Sequence, residues 1–177
     1  GRSFGGGGRG GGRGRGGGGP PPLLYSRRIG RSPQGSIPGE AVFSVEAESA
    51  TILGAAKLTG RTANGWSIGL LDALTAEETA QWLTADDVSG STPIEPRTNY
   101  FAGRVIKSLR SGQTQLGAIG TAVHRTLGDA DLAARLPSSA YTGGLDFSHE
   151  FLRRAWSLEG FFAFSQVQGS TDALIRI

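Results

Sequence analysis

The chain has 177 residues, a formal charge of +3, no Cys and no Met. That length suffices for one domain, and the missing Cys excludes a disulfide scaffold, a Cys-ligated metal and a thiol nucleophile. The charge is divided: residues 1–39 carry seven Arg and no acid, so this stretch is +7 and the remainder is −4.

With Gly at position 1, the chain reads as a processed or excised piece of a longer protein. No apolar run approaches the roughly 20 residues of a membrane-spanning helix, and no signal-peptide pattern is present. Residues 1–22 hold thirteen Gly in the first nineteen positions. They bury too little apolar surface to offset their backbone entropy, so they read as a disordered Gly/Arg-rich loop or tail.

Residues 23–177 read as β-structure. Strand-like segments fall at 23–30, 50–60, 65–74, 98–109, 113–125, 139–152 and 155–167. Period-two alternation is cleanest in the last two. Tyr141, Leu145, Phe147 and Phe151 oppose Thr142, Gly144, Asp146, Ser148 and Glu150; Trp156, Leu158, Phe162 and Phe164 oppose Ser157, Glu159, Ala163 and Ser165, with Phe161 the exception. Segments 98–109 and 113–125 carry apolar residues on both parities, which leaves their faces open.

The connections alternate strictly between long (31–49, 75–97, 126–138) and short (Arg61–Asn64, Arg110–Gly112, Arg153–Arg154). Up-and-down barrels of the outer membrane follow that rule, with tight periplasmic turns and long external loops. The segment lengths also bracket the roughly 9–11 residues of a tilted membrane strand. Two long loops carry helix signals. Thr75-Ala-Glu-Glu78 fits a capping box before Ala80, Gln81, Trp82 and Leu83. Asp129 would cap a turn through Leu136, with Pro137 as the stop.

No residue is assigned a catalytic role. Gly65-Trp-Ser-Ile-Gly69 matches the hydrolase nucleophile elbow, but that motif needs a helix after the Ser, and here a strand pattern continues through Leu74. His124 and His149 lie on other strands and show no metal-ligand spacing, and Asp129 and Asp131 do not extend into a calcium loop. Neither metal nor cofactor is expected.

Three groups of residues remain as candidates. Arg27, Arg28 and Arg31 crowd a strand start; Arg on a lipid face is costly, so Arg28 is expected to face a lumen, with Arg27 and Arg31 near a rim. Asp146 and Glu159 are the candidate lumen acids that would pair with them. Trp66, Tyr100, Phe101, Tyr141 and Trp156 fall near strand ends, as interfacial girdle aromatics do. The Gly/Arg segment offers another function, since such stretches bind single-stranded nucleic acid, but the −4 body supplies no second basic surface.

Five runs, Tyr25–Arg31, Thr51–Gly60, Gly65–Gly69, Thr98–Phe101 and Ser138–Phe147, carry a family likeness. The chain resembles, over residues 23–177, the barrel-like C-terminal domain catalogued as domain-of-unknown-function family 5916, which follows a carbohydrate-binding, family-nine-like module in bacterial proteins. The resemblance implies an outer-membrane location and supplies no reaction.

The expectation is therefore an all-β chain. It is an antiparallel up-and-down meander of about seven strands, an incomplete transmembrane β-barrel of the bacterial outer membrane with short helices in long loops. Its partners are outer-membrane lipid, missing barrel strands and an upstream carbohydrate-binding module, and its role is pore- or uptake-associated, with saccharide-like solutes. A soluble β-domain with a nucleic-acid-binding tail is the alternative.

Overall fold

The computed structural model describes residues 29–176. The segment drawn at 23–30 therefore lies outside the described residues except for Ile29 and Gly30, which form a turn. Residues 1–22 also lie outside them.

Six strands form one antiparallel sheet, in the order β2 (Ile52–Arg61), β3 (Trp66–Thr75), β6 (Arg97–Leu109), β7 (Thr114–Thr126), β8 (Ser139–Phe151) and β9 (Trp156–Gln168). Each lies within a residue or two of a segment expected from sequence. Side chains alternate between the two faces along each strand, and this periodicity survives even where turn chemistry is weak. Every neighbour in the sheet is also the next of these strands along the chain, so the meander is strictly up and down. Among the described residues no strand pairs with the outer side of β2 or β9, and all ten residues of β2 are exposed there.

Three tight turns, 62–65, 110–113 and 152–155, close one end of the sheet. Two of them force non-glycine residues into the left-handed region: Arg110 and Ser111 at φ 50° and 54°, and Leu152, Arg153 and Arg154 at 50°, 56° and 68°. In the first turn Gly65 is required. Its φ is +87°, and an added Cβ would stand 2.5 Å from the Ser108 carbonyl oxygen.

The other end carries the long connections, and these are folded. The segment 76–96 forms a hairpin of β4 (Glu78–Thr84) and β5 (Ser89–Glu95). Together with β1 (Ala41–Val45) this makes a three-stranded antiparallel sheet in the order β1-β4-β5. The helix expected from the Thr75–Glu78 capping box is thus corrected to a strand. As the central strand of the small sheet, β4 satisfies its backbone on both sides. Trp82 lies against Gly90 directly across the hairpin, where a side chain would collide with the ring, and its Nε1 donates to Thr92 Oγ1 at 2.9 Å. Glu78 does not cap a helix; its Oε1 accepts from Thr51 N at 2.7 Å, tying the hairpin to the start of β2.

The second expected helix is present as α1 (Ala130–Arg135), with Asp129 Oδ1 accepting from Leu132 N at 3.0 Å. A further helix, α2 (Thr171–Ile175), is capped by Ser170 Oγ, which accepts from Ala173 N at 3.1 Å. It packs on α1, and α1 touches β5.

The fully buried apolar side chains sit mostly in these connections: Ala50, Ala80, Ile94, Leu132, Leu136 and Ala173. Gly35 admits the close approach, since its N donates to Ile94 O at 2.6 Å and a Cβ there would meet Ile94 backbone. The core thus caps one end of the sheet, while most of the sheet's large side chains are left outward.

Candidate functional site

The register assigns every strand residue to one of two faces, because directly opposed residues point the same way. Tyr141, Gly143, Leu145, Phe147, His149 and Phe151 of β8 share a face with Ala118 and Leu116 of β7. Across β9 the same face holds Trp156, Leu158, Phe162 and Phe164. It continues through Phe101 and Val105 of β6, Ile68 and Leu70 of β3, and Leu58 of β2. This apolar face is open: Leu58 is 62%, Leu145 61% and Phe162 63% exposed. Two aromatic rings lean over opposing glycines, Phe147 on Gly160 and Phe164 on Gly143.

Polar side chains bound the apolar face at both ends. At the long-connection end Asn99 Nδ2 donates to the Asp72 carboxylate at 3.2 Å, and Tyr141 Oη lies 3.3 Å from His124 Nε2. At the tight-turn end Lys107 Nζ sits 4.9 Å above the Trp66 ring, and Thr114 Oγ1 is 2.9 Å from His149 Nδ1. The two histidines therefore stand at opposite ends of the face. Among the described residues no group of three His, Cys, Asp or Glu is placed to hold a metal ion.

The opposite face is mixed: it holds every charge at the middle of the sheet together with small residues, and also Leu71, Tyr100, Ile106, Ile119, Val123 and Phe161. Thr59, Gly69, Ala102, Gly117, Thr121, Thr142, Gly144 and Ser148 lie on it, along with Lys57, Arg104, Asp146 and Glu159. Arg104 Nη2 and Asp146 Oδ1 form an ion pair at 2.7 Å. Gly117 leaves the room that the Asp146 carboxylate occupies. Thr121 and Thr142 hydroxyls bond across the strands at 2.6 Å. Ser67 also lies on this face and accepts from Arg61 Nε at 3.2 Å. It sits within β3, with no helix after it, and both imidazoles are on the other side of the sheet.

At the long-connection end, charge is buried. Glu95 is 1% exposed, and its Oε2 accepts from Gln34 N at 3.0 Å. Arg31 reaches Gln34 Oε1, and its own carbonyl accepts from Ala50 N at 2.9 Å. Arg125 donates through Nη1 to Pro137 O at 2.9 Å. Burial pushes the Glu95 carboxyl above its ordinary value of 4.5; the Gln34 amide and the charges of Arg31 and Arg125 pull the other way, and Glu78 adds to the rise.

Of the residues picked from sequence, Trp66, Phe101, Tyr141 and Trp156 lie on the apolar face, and Tyr100 on the polar one, diagonal to Arg125. Asp146 and Glu159 share the polar face, but the cation on Asp146 is Arg104. Arg31 is in the loop network beside Gln34 and Glu95, while Arg27 and Arg28 lie outside the described residues. No motif in the sequence marks Lys57, Glu95, Arg104 or Arg125. For Arg104 the missing signal was parity, since Gly103 and Val105 on one side and Ala102 and Ile106 on the other are all small or apolar. No helix among the described residues is long and apolar enough to cross a membrane, which says nothing about strands.

These features define an all-β protein with an open, up-and-down sheet, one exposed apolar face and one mixed face that carries the charges. The family model described as a domain of unknown function, DUF5916, matches residues 21–173, and the chain belongs to that family. No curated protein and no solved structure matches the chain.

Proposed function

We propose that the six-stranded sheet is wall from a transmembrane β-barrel of the bacterial outer membrane, serving as a pore or uptake element. The division of faces carries the reading. A soluble sheet with its apolar side uncovered would aggregate, whereas a barrel wall needs an apolar band outside and polar residues inside, alternating along each strand.

Several further features support it. The 13-residue strands β6 to β9 reach about 40 Å at roughly 3.3 Å per residue, enough to cross a tilted path through the hydrocarbon. Tight turns occupy one end and long connections the other, as in bacterial barrels. Trp66, Trp156, Phe101 and Tyr141 lie toward the ends of the apolar face, at headgroup level. The open edges of β2 and β9 are closed by further strands, from the same protein or another copy. Saccharide-like solutes follow from the family likeness, through the sugar-binding module that precedes such domains.

The three tryptophans, Trp66, Trp82 and Trp156, provide the test. In vesicles of brominated lipid, shallow bromines quench single-Trp variants retaining Trp66 or Trp156, and spare one retaining Trp82 of the small sheet. A monodisperse chain that needs no detergent, with equal quenching at all three, overturns the proposal.

A further inference from the structure

The polar face is divided by charge. Between the tight-turn end and the middle of the sheet, its cations are Lys57 and Arg61 on β2 and Arg104 on β6. Its acids are Asp146 and Glu150 on β8 and Glu159 on β9. The face of β3 shows Ser67, Gly69, Leu71 and Ala73 there, and that of β7 shows Gln115, Gly117, Ile119 and Thr121, with no charge on either. Arg125 is the exception on β7, but it stands at the far, long-connection end. The Arg104–Asp146 pair, at 2.7 Å, marks where the two fields meet.

Outside that pair the charges stand apart. Lys57 and Arg61 flank Thr59 on one side, and Asp146, Glu150 and Glu159 surround Ser148 on the other. Arg154 engages Glu150 from the turn at 3.2 Å. Gly69, Ala102 and Gly117 leave low ground between them, bordered by Leu71, Ile106 and Ile119. A hollow of about 510 Å³ is lined by Lys57, Thr59, Gly69, Leu71, Ala102 and Arg104, among others.

We infer that this face is a solute-accessible lining with a transverse field, running from a cationic strip on β2 and β6 to an acidic strip on β8 and β9. The inference rests on the barrel reading and adds to it the class of solute. An ion of either sign is drawn to one strip and repelled by the other, whereas a small dipolar solute without net charge gains from both.

The chain has no Cys, so single-Cys reporters are unambiguous. Thr59→Cys, Ser148→Cys and the apolar-face control Leu145→Cys are placed in the full chain in lipid vesicles. Each is treated with a cationic and an anionic methanethiosulfonate of similar size. The anionic reagent is favoured at position 59 and the cationic one at 148, the two rate ratios differing by about tenfold or more. Adding Lys57→Gln to the first and Glu159→Gln to the second shrinks each preference. Equal preference at 59 and 148, or silence at both, overturns the inference. Reaction at 145 with silence at 59 and 148 overturns the barrel reading itself, because the faces are then reversed.

Discussion

Glu95 shows how a single buried side chain couples the small sheet to solution conditions. Its carboxyl is held above 4.5 chiefly by burial, so the folded state binds its proton more tightly than the unfolded one. The stabilisation from the protonated form is complete below 4.5 and is lost as pH rises through the folded-state value. Glu95→Gln keeps an oxygen for the Gln34 amide and removes the buried charge. The variant is expected to unfold at higher temperature than the parent at neutral pH, with the gap closing as pH falls toward 4.5. Thermal melts at both pH values check this; a gap that widens on acidification would mean that attraction to Arg31 and Arg125 outweighs burial. Nothing in the sequence around Glu95 reports this, because its hydrogen-bond partner Gln34 lies 61 residues away.

Local and tertiary control separate most clearly in the elements of the long connections. Asp129, Asp131, Arg135 and Pro137 act within one short stretch of chain, and the helix they specify forms as read. Asp129→Ala removes the cap on Leu132 N and should cost about 1 kcal/mol. Amide exchange in Ala130–Arg135 would accelerate accordingly, with β7 and β8 unchanged. The stretch from Thr75 to Leu83 carries an equally good local signal, yet from Glu78 on it forms a strand. There β1 and β5 supply hydrogen bonds to both sides of β4, and Gly90 supplies the space for Trp82. Those partners lie outside the local window, so propensity loses to pairing.

Across the whole molecule, the division of the large sheet governs what the protein tolerates. In a bilayer, Leu145→Arg places a charge at the middle of the apolar face and should cost about 2–4 kcal/mol. Ser165→Arg, on the polar face of the edge strand, should cost little. Urea unfolding of both variants in vesicles measures the difference, and equal costs would contradict the face assignment. The buried core gives the small sheet and helices a local reason to fold, since Ile94, Leu132, Leu136 and Ala173 are each less than a tenth exposed. Among the described residues nothing comparable covers the apolar side of the large sheet.

The sequence by itself determined the six long strands, their turns and their order, because period-two alternation and short connections act over neighbouring residues. It also marked the apolar side of β8 and β9, where Phe147 and Phe162 alternate with Asp146 and Ala163. Only the tertiary structure decided the faces of β6 and β7, where both parities are apolar and the register to β3 and β8 breaks the tie. It alone joined Arg104 to Asp146, 42 residues apart, and gathered Arg31, Gln34 and Glu95 under the small sheet. Charges meet across strands according to register, and register is a property of paired chains that no single segment carries.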